Sequence, residues 1–126
     1  MPHQIFTANF NSHQPVSLTI DVQSTNLVSH QFWYRLPGEN TWIEFGSSRD
    51  GANTSGSRHT YNIDPLLPPN TTLRYWLLFD NLRNISVPYD TVVTLNQAGN
   101  EVHRFMVQGS NQPDQISKQT ADVTLV

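Results

Sequence analysis

The residues in this chain best suited to hold a ligand are three tryptophans and the arginines near them in sequence. Trp33 lies two residues before Arg35, Trp76 lies two residues after Arg74, and Trp42 stands between these pairs in the sequence. Flat aromatic rings stack on the apolar faces of sugars, and tryptophan is also a common anchor of protein interfaces. Guanidinium and amide groups donate hydrogen bonds to hydroxyls. These residue types therefore indicate a binding surface.

A second set of ligand-type side chains follows the segment that carries Trp76. Asp80, Asn81, Arg83 and Asn84 stand close together, and their carboxylate, amide and guanidinium groups bond hydroxyls well. This pattern predicts a polar loop that contributes to a sugar pocket beside Trp76. The alternative interpretation is an ordinary solvated loop, because Asp and Asn also favour turns by bonding their own backbone.

Patterns for catalysis and metal binding are missing from the sequence. It has no cysteine, no nucleophile elbow, no glycine-rich phosphate loop and no His-Glu-x-x-His, and its five histidines lack metal-ligand spacing. Asp64, Asp80 and Asp90 stand at predicted strand ends, where capping and turn roles are usual. A calcium site of Asp50, Asp80 and Asn81 would lack the spaced acidic loop of such sites. We predict a non-enzymatic protein without metal or cofactor.

Composition and charge limit the classes of partner. The 126 residues fit one domain, residues 1–126, with a single core, and only 13% of them are charged. A net charge of −3 argues against nucleic acid, which selects a clustered basic face. No apolar run reaches the roughly 18–20 residues of a membrane-spanning helix, and no secretory signal is visible. We expect no membrane insertion, and a cytoplasmic or non-classically exported protein.

The elements that must position the tryptophans are β-strands. Between Leu73 and Asp80, Leu, Tyr, Leu and Phe alternate with Arg, Trp, Leu and Asp, which is the period of two of a pleated strand. Residues 16–22 alternate in the same way. Further strands are predicted at residues 4–10, 30–36, 41–45, 59–63, 91–95, 101–108 and 121–126, and long polar loops at residues 46–58 and 109–119. The eight to nine short strands predict an all-β, two-sheet antiparallel β-sandwich.

Two stretches resemble a known family. Residues 67–75, Leu-Pro-Pro-Asn-Thr-Thr-Leu-Arg-Tyr, are similar to a signature of fibronectin type III domains, and residues 32–38 resemble the third strand of those and of immunoglobulin-like domains. The resemblance covers roughly residues 16–81. The chain departs from it at Leu73, where a tyrosine is usual, and it lacks the immunoglobulin cysteine pair. The resemblance implies a two-sheet sandwich, and such sandwiches include carbohydrate-binding modules and lectins as well as adhesion and structural modules.

The direction of the three tryptophans depends on strand register. If Phe32 and Tyr34 face inward, Trp33 faces outward, and neighbouring strands then place all three tryptophans on one exposed face among arginines. A shift by one residue would instead bury Trp33, as in immunoglobulin-like domains, whose third-strand tryptophan is usually in the core. A face of exposed aromatic rings is also suited to an oligomer contact, since large apolar patches rarely stay open to solvent.

The sequence therefore leads to two hypotheses about function. The first is a non-enzymatic carbohydrate-binding protein, a small lectin or carbohydrate-binding module, whose exposed tryptophans stack on a glycan while arginines and loop residues bond its hydroxyls. The second is a protein-interaction or structural module that forms a homo-oligomer through its tryptophan-bearing face. Sugars would change the tryptophan fluorescence of the first, and dilution would change the assembly of the second.

Overall fold

The computed structural model describes residues 3–23, 27–48 and 58–126 of the chain. Nine β-strands and no α-helix are found in these residues, and none of them forms a helix that could cross a membrane. The strands are β1 (Gln4–Ala8), β2 (Val16–Val22), β3 (Leu27–Arg35), β4 (Ile43–Ser47), β5 (Arg58–Ile63), β6 (Thr72–Asp80), β7 (Val87–Gln97), β8 (Asn100–Asn111) and β9 (Ile116–Leu125).

The strands form two sheets. One has five strands in the order β1-β9-β6-β3-β4, and the other has four in the order β5-β2-β7-β8. All pairings are antiparallel except that of β1 with β9, which is parallel. The predicted all-β sandwich is therefore confirmed, and the strand that carries Trp76 lies at the centre of the five-stranded sheet.

Period-two alternation explains how the sheets enclose the core. In β6 the residues Leu73, Tyr75, Leu77 and Phe79 are fully buried, and the residues between them remain partly exposed. Strand β2 buries Leu18 and Ile20 in the same way from the opposite sheet. Burying a side chain of this size contributes roughly 1.5–3 kcal/mol, so the two alternating strands that the sequence shows most clearly also supply a large part of the core.

The later strands are longer than the sequence predicts. Strand β8 continues to Asn111 and β9 begins at Ile116, so most of the predicted loop at residues 109–119 is wrong. The N-terminal half of β9 carries mostly polar residues, which gave no strand signal. It forms a strand because it pairs with β6 from Asp80 onward, and its Gln119 is buried and donates a hydrogen bond from Nε2 to Tyr89 Oη at 3.3 Å.

Two backbone features shape the β7–β8 hairpin. Its turn consists of Ala98 and Gly99 with φ angles of 49° and 80°, and two successive positive φ angles make the turn that suits the twist of a hairpin. Further along, Gly109 is paired with Tyr89, and a Cβ at Gly109 would lie 2.3 Å from Tyr89 Oη. The absence of a side chain there lets the Tyr89 ring lie across the strand.

The other loop prediction is tested only at its ends. Gly46 and Ser47 belong to β4 and Arg58 begins β5, so residues 46–58 are not all loop. Residues 49–57 of this segment, with Asp50, lie outside the described residues. Gly46 lies against the ring of Tyr61 on β5, where a Cβ would be 2.7 Å from Tyr61 Cγ. This contact joins the edges of the two sheets.

Candidate functional site

The strand order brings the three tryptophans to one face. Strands β4, β3 and β6 are neighbours, as predicted, and Trp33 pairs with Arg74 while Gln31 pairs with Trp76. Because Phe32 and Tyr34 are buried, Trp33 between them points outward, which resolves its direction. Trp33, Trp42 and Trp76 are all partly exposed on the outer side of the five-stranded sheet. We call this surface the tryptophan face.

Trp42 lies just before β4 and is held by two arginines. The guanidinium carbons of Arg35 and Arg74 lie 4.6 Å and 4.2 Å from the centre of its ring. A cation at this distance from an indole contributes about 0.5–1 kcal/mol at an exposed site. The Trp42 ring is therefore already in contact with two charged groups of its own chain, and its main effect is to fix the positions of Arg35 and Arg74.

Arg74 is also held from the other side. Its Nε and Nη2 donate hydrogen bonds to Asp122 Oδ1 and Oδ2 at 2.8 Å and 3.0 Å, and His3 Nε2 lies 3.3 Å from Asp122 Oδ2. Burial alone would raise the pKa of Asp122, but the hydrogen bonds and charges of Arg74 and His3 outweigh it and lower the pKa. The bond to Asp122 raises the pKa of Arg74 despite partial burial. The carboxylate therefore stays ionised, and two N–H groups of Arg74 are fixed.

Trp76 lies beside a depression in the tryptophan face. Its cross-strand neighbours are Gln31 on β3 and Thr120 on β9, and Lys118 Nζ lies 5.7 Å from the centre of its ring. A shallow depression of about 340 Å³ lies beside the ring, lined by His3, Arg74, Tyr75, Trp76, Lys118 and Thr120. An aromatic ring, a hydroxyl, an ammonium and fixed N–H donors therefore line one concave surface, and the Gln31 amide stands next to Trp76 on the adjacent strand.

The predicted role of Asn81 is wrong, because its side chain is used inside the fold. Asn81 is fully buried, and its Nδ2 lies 2.8 Å from the carbonyl oxygen of Ile85 and 3.0 Å from those of Asn111 and Gln112. Its Oδ1 accepts a hydrogen bond from the backbone N–H of Arg83 at 3.0 Å. Asn81 therefore joins the loop after β6 to the end of β8, and no polar atom of its side chain remains for a ligand.

The other residues of that loop are accessible but distant from the tryptophan face. Arg83 and Asn84 are exposed, and Asp80 is partly exposed on the outer side of β6. Asp80 lies four positions beyond Trp76 on the strand, which corresponds to roughly 13 Å. The predicted site residues thus fall into two separate groups, and only the tryptophan–arginine group forms a common surface.

Sequence reasoning missed the residues that β9 contributes. Lys118, Thr120 and Asp122 lie on the outer side of β9 beside β6, and His3 reaches them, with its Nδ1 2.7 Å from Thr120 Oγ1. Of these residues, only Asp122 could have been identified from the sequence. It stands among the apolar residues of the predicted last strand, and its charge is opposite to that of Arg74. The residues from Ser117 to Thr120 are all polar, so no alternation of apolar and polar residues indicates a strand there.

A metal centre is not supported by the described part of the chain. In it, no group of three or more His, Asp or Glu side chains is placed to hold an ion. Of the calcium ligands considered from the sequence, Asn81 is committed to the backbone and Asp50 is outside the described residues.

Buried titratable groups serve the core instead. His30 is fully buried on β3, and its Nε2 lies 2.7 Å from Tyr61 Oη, which donates to the carbonyl oxygen of Ser47 at 2.8 Å. This chain of bonds crosses from the five-stranded to the four-stranded sheet. Tyr75 lies beneath the tryptophan face, and complete burial raises the pKa of its hydroxyl, which therefore stays neutral. The imidazole of His30 and the hydroxyl of Tyr75 are too enclosed to contact a ligand at the surface.

Comparison with known proteins identifies the fold and no activity. No protein-family model and no curated protein matches the chain. A crystal structure of a domain of unknown function, DUF4425, from Bacteroides vulgatus is similar, with a TM-score of 0.55 and 10% sequence identity over 90% of this chain and 98% of that one. At this identity the likeness concerns the fold alone.

Proposed function

We propose that this protein is a non-enzymatic carbohydrate-binding protein, with Trp76 as the residue on which a sugar ring stacks. The observation that carries the proposal is the combination at Trp76 of a partly exposed ring, a concave surface of about 340 Å³ and polar groups from three adjacent strands. Sugar sites need an apolar platform together with donors and acceptors in fixed positions, and a sheet face is a rigid support for both.

Each group around Trp76 has a role in this proposal. The indole ring covers the apolar face of the sugar, while Gln31 and Thr120 bond hydroxyls at either side of it. Arg74 has five N–H donors, of which two bond Asp122, so three remain for the ligand. Because Asp122 and Trp42 already hold the guanidinium, little side-chain entropy is lost when a sugar binds to it.

The strand order also supports kinship with immunoglobulin-like and fibronectin type III domains. In the variable type of immunoglobulin fold, the third strand has an extra strand on one side within its sheet. The last two strands of the domain lie on its other side. The order β4-β3-β6-β9 corresponds to that arrangement. The β7–β8 hairpin, inserted between β6 and β9 and paired with β2, has no counterpart there. We propose the family relationship on this basis.

A glycan-array screen with two variants tests the function. We expect the wild-type protein to bind a restricted set of glycans and Trp76→Ala to lose at least tenfold in affinity for them. The matched control is Met106→Ala, which removes a large exposed side chain from the outer face of the other sheet and should bind as the wild type does. Absence of binding across the array, or equal binding by Trp76→Ala, would refute the proposal.

One observation favours the alternative, a homo-oligomer formed through the tryptophan face. Ile5 on β1 is 76% exposed and is paired with Asp122, in the same row across the sheet as Arg74 and Trp33. An exposed isoleucine on the same sheet face as the tryptophans suits a protein partner better than a sugar. Sedimentation over a range of concentrations distinguishes the two functions, because a dimer that Trp76→Ala and Ile5→Ser dissociate would favour the interface.

A further inference from the structure

A larger depression adjoins the one beside Trp76. A second depression of about 640 Å³ is lined by His3, Tyr89, Ser110, Gln115, Ile116, Ser117, Lys118 and Thr120. His3, Lys118 and Thr120 also line the depression beside Trp76, so the two share a wall. Together they form a groove, which we call the β9 groove, that leads from Trp76 on the sheet face across β9 to Ser110 on β8.

The geometry of the sheet edge explains why this groove exists. Strand β9 is paired with β6 from Ile116 to Thr124, but β1 begins only at Gln4, opposite Ala121. Within the described residues, the edge of β9 from Ile116 to Thr120 therefore has no strand beside it. The second depression lies at this edge of β9, where Ile116, Ser117, Lys118 and Thr120 line it. The distance from Trp76 to this edge of β9 is about two strand spacings, roughly 10 Å.

The charges along the β9 groove are mostly of one sign. Among the described residues, the cations Lys118 and Arg74 line it and no carboxylate does. The nearby Asp122 is paired with Arg74, so it offsets that charge, whereas Lys118 makes no ion pair among the described residues. Lys118 is exposed at the wall that the two depressions share. Its Nζ lies 5.7 Å from the centre of the Trp76 ring, so the ammonium stands beside the proposed stacking platform.

We propose that the ligand of the β9 groove is an anionic oligosaccharide of two or more sugar units, with an acidic group paired to Lys118. This inference rests on the proposed function and specifies its ligand. One ring stacks on Trp76, the acidic substituent of that unit or the next meets Lys118, and the following unit lies beside Ser110 at the open edge of β9. An anion on a sugar can be a carboxylate or a sulfate, and both fit a single ammonium.

The test is calorimetric titration with oligosaccharides matched in length. The probes are oligogalacturonates of one to four units, neutral galacto-oligosaccharides of the same lengths and a sulfated oligosaccharide. For the wild type we expect the acidic chains to bind at least tenfold more tightly than neutral ones, and affinity to rise from one unit to three. If the oligogalacturonates show the larger gain in affinity over neutral chains, the recognised group is a carboxylate. If the sulfated oligosaccharide does, it is a sulfate.

Three variants locate the contacts. Lys118→Gln should abolish the tenfold preference for acidic chains while neutral chains bind unchanged. Arg104→Gln removes the same charge from the outer face of the other sheet and should leave the preference intact. Ser110→Tyr fills the far depression and should remove only the gain in affinity with chain length. Circular dichroism and thermal unfolding of each variant verify that it is folded.

The possible failures are distinguishable. Equal affinity for acidic and neutral chains, with binding still lost in Trp76→Ala, would overturn this inference and leave the proposed function standing. Equal loss in Lys118→Gln and Arg104→Gln would show a general charge effect and refute the role of Lys118. Binding of none of these oligosaccharides would overturn this inference, whereas absence of binding across the whole glycan array would overturn the proposed function as well.

Discussion

The tryptophan face and the loop after β6 contain similar polar side chains but use them in opposite ways. On the face, Arg74 bonds Asp122 with two N–H groups and keeps three, and its position is fixed by neighbours on the same surface. In the loop, Asn81 is fully buried and bonds backbone groups of several residues. We call this second region the Asn81 corner, comprising Asn81 and the loop residues that its side chain bonds.

The difference follows from how the backbone N–H and C=O groups of each region find hydrogen-bond partners. In a sheet, the backbone N–H and C=O groups bond those of adjacent strands, so the outward side chains remain available to other molecules. In a loop packed against the core, backbone groups lack such partners, and leaving them unbonded is costly. A polar side chain in such a loop is therefore recruited to the backbone. Similar residue types indicate a binding site in one setting and a structural support in the other.

The largest expected effect comes from breaking the Asn81 corner. Asn81→Ala removes a donor from buried carbonyl oxygens and should lower the free energy of unfolding by about 3 kcal/mol, since each buried unsatisfied group costs roughly 1–3 kcal/mol. Urea denaturation followed by tryptophan fluorescence measures this. The matched control is Asn84→Ala at the exposed surface, with an expected change within about 0.5 kcal/mol. Equal effects of the two substitutions would refute the structural role of Asn81.

A smaller loss of stability is expected on the tryptophan face. Trp42→Ala removes the contacts with Arg35 and Arg74 and should cost about 1–2 kcal/mol, because each cation–π contact contributes about 0.5–1 kcal/mol. Trp42→Phe keeps a ring and should retain part of this stabilisation. Chemical denaturation gives both values. If Trp42→Ala were as stable as the wild type, the ring would not be what holds the two guanidinium groups.

The tryptophan face should also respond to acid in a predictable direction. The lowered pKa of Asp122 means that its ion pair stabilises the fold fully above the ordinary Asp value of about 4, and that this contribution is lost as pH falls through the folded-state pKa. Asp122→Asn should therefore cost about 1 kcal/mol at neutral pH, a modest value because Arg74 is partly exposed. The gap should narrow as pH falls below that ordinary value.

Unfolding curves at a series of pH values measure this gap for the wild type and Asp122→Asn. Asp21→Asn on the other sheet is the matched control, because its carboxylate lies 3.9 Å from Arg58 in an exposed pair and should contribute little. A gap between wild type and Asp122→Asn that persists unchanged at pH 2 would contradict the ion-pair explanation.

The smallest effect is expected at Arg83, and it sharpens the contrast between the regions. Arg83 was predicted as a ligand residue, but its side chain is exposed at the Asn81 corner, outside the strand that carries Trp76. Arg83→Ala should change stability by less than about 0.5 kcal/mol and leave glycan binding as in the wild type. Calorimetric titration against the best glycan of the array checks this. A loss of glycan binding in Arg83→Ala would show that the loop after β6 belongs to the binding site.

Local sequence determined the fold class and the direction of the central strands. The alternation from Leu73 to Asp80 is a property of the chain itself, since a pleated strand directs successive side chains to opposite sides wherever it pairs. Once that period was recognised, the burial of Tyr75 and the outward position of Trp76 followed. The sequence around Trp33 fits either register, because Phe32 and Tyr34 flank it and all three residues are aromatic.

Tertiary structure decided which side chains meet. Arg74 and Asp122 are far apart in the sequence, and the β6–β9 pairing alone brings them opposite each other. The polar start of β9 becomes a strand only because β6 offers it a row of backbone partners, which no local pattern encodes. The burial of Asn81 likewise depends on the turn after β8. Local sequence thus determined the strands and their faces, whereas long-range pairing determined the site, because contacts between distant residues leave no mark on the pattern of either segment.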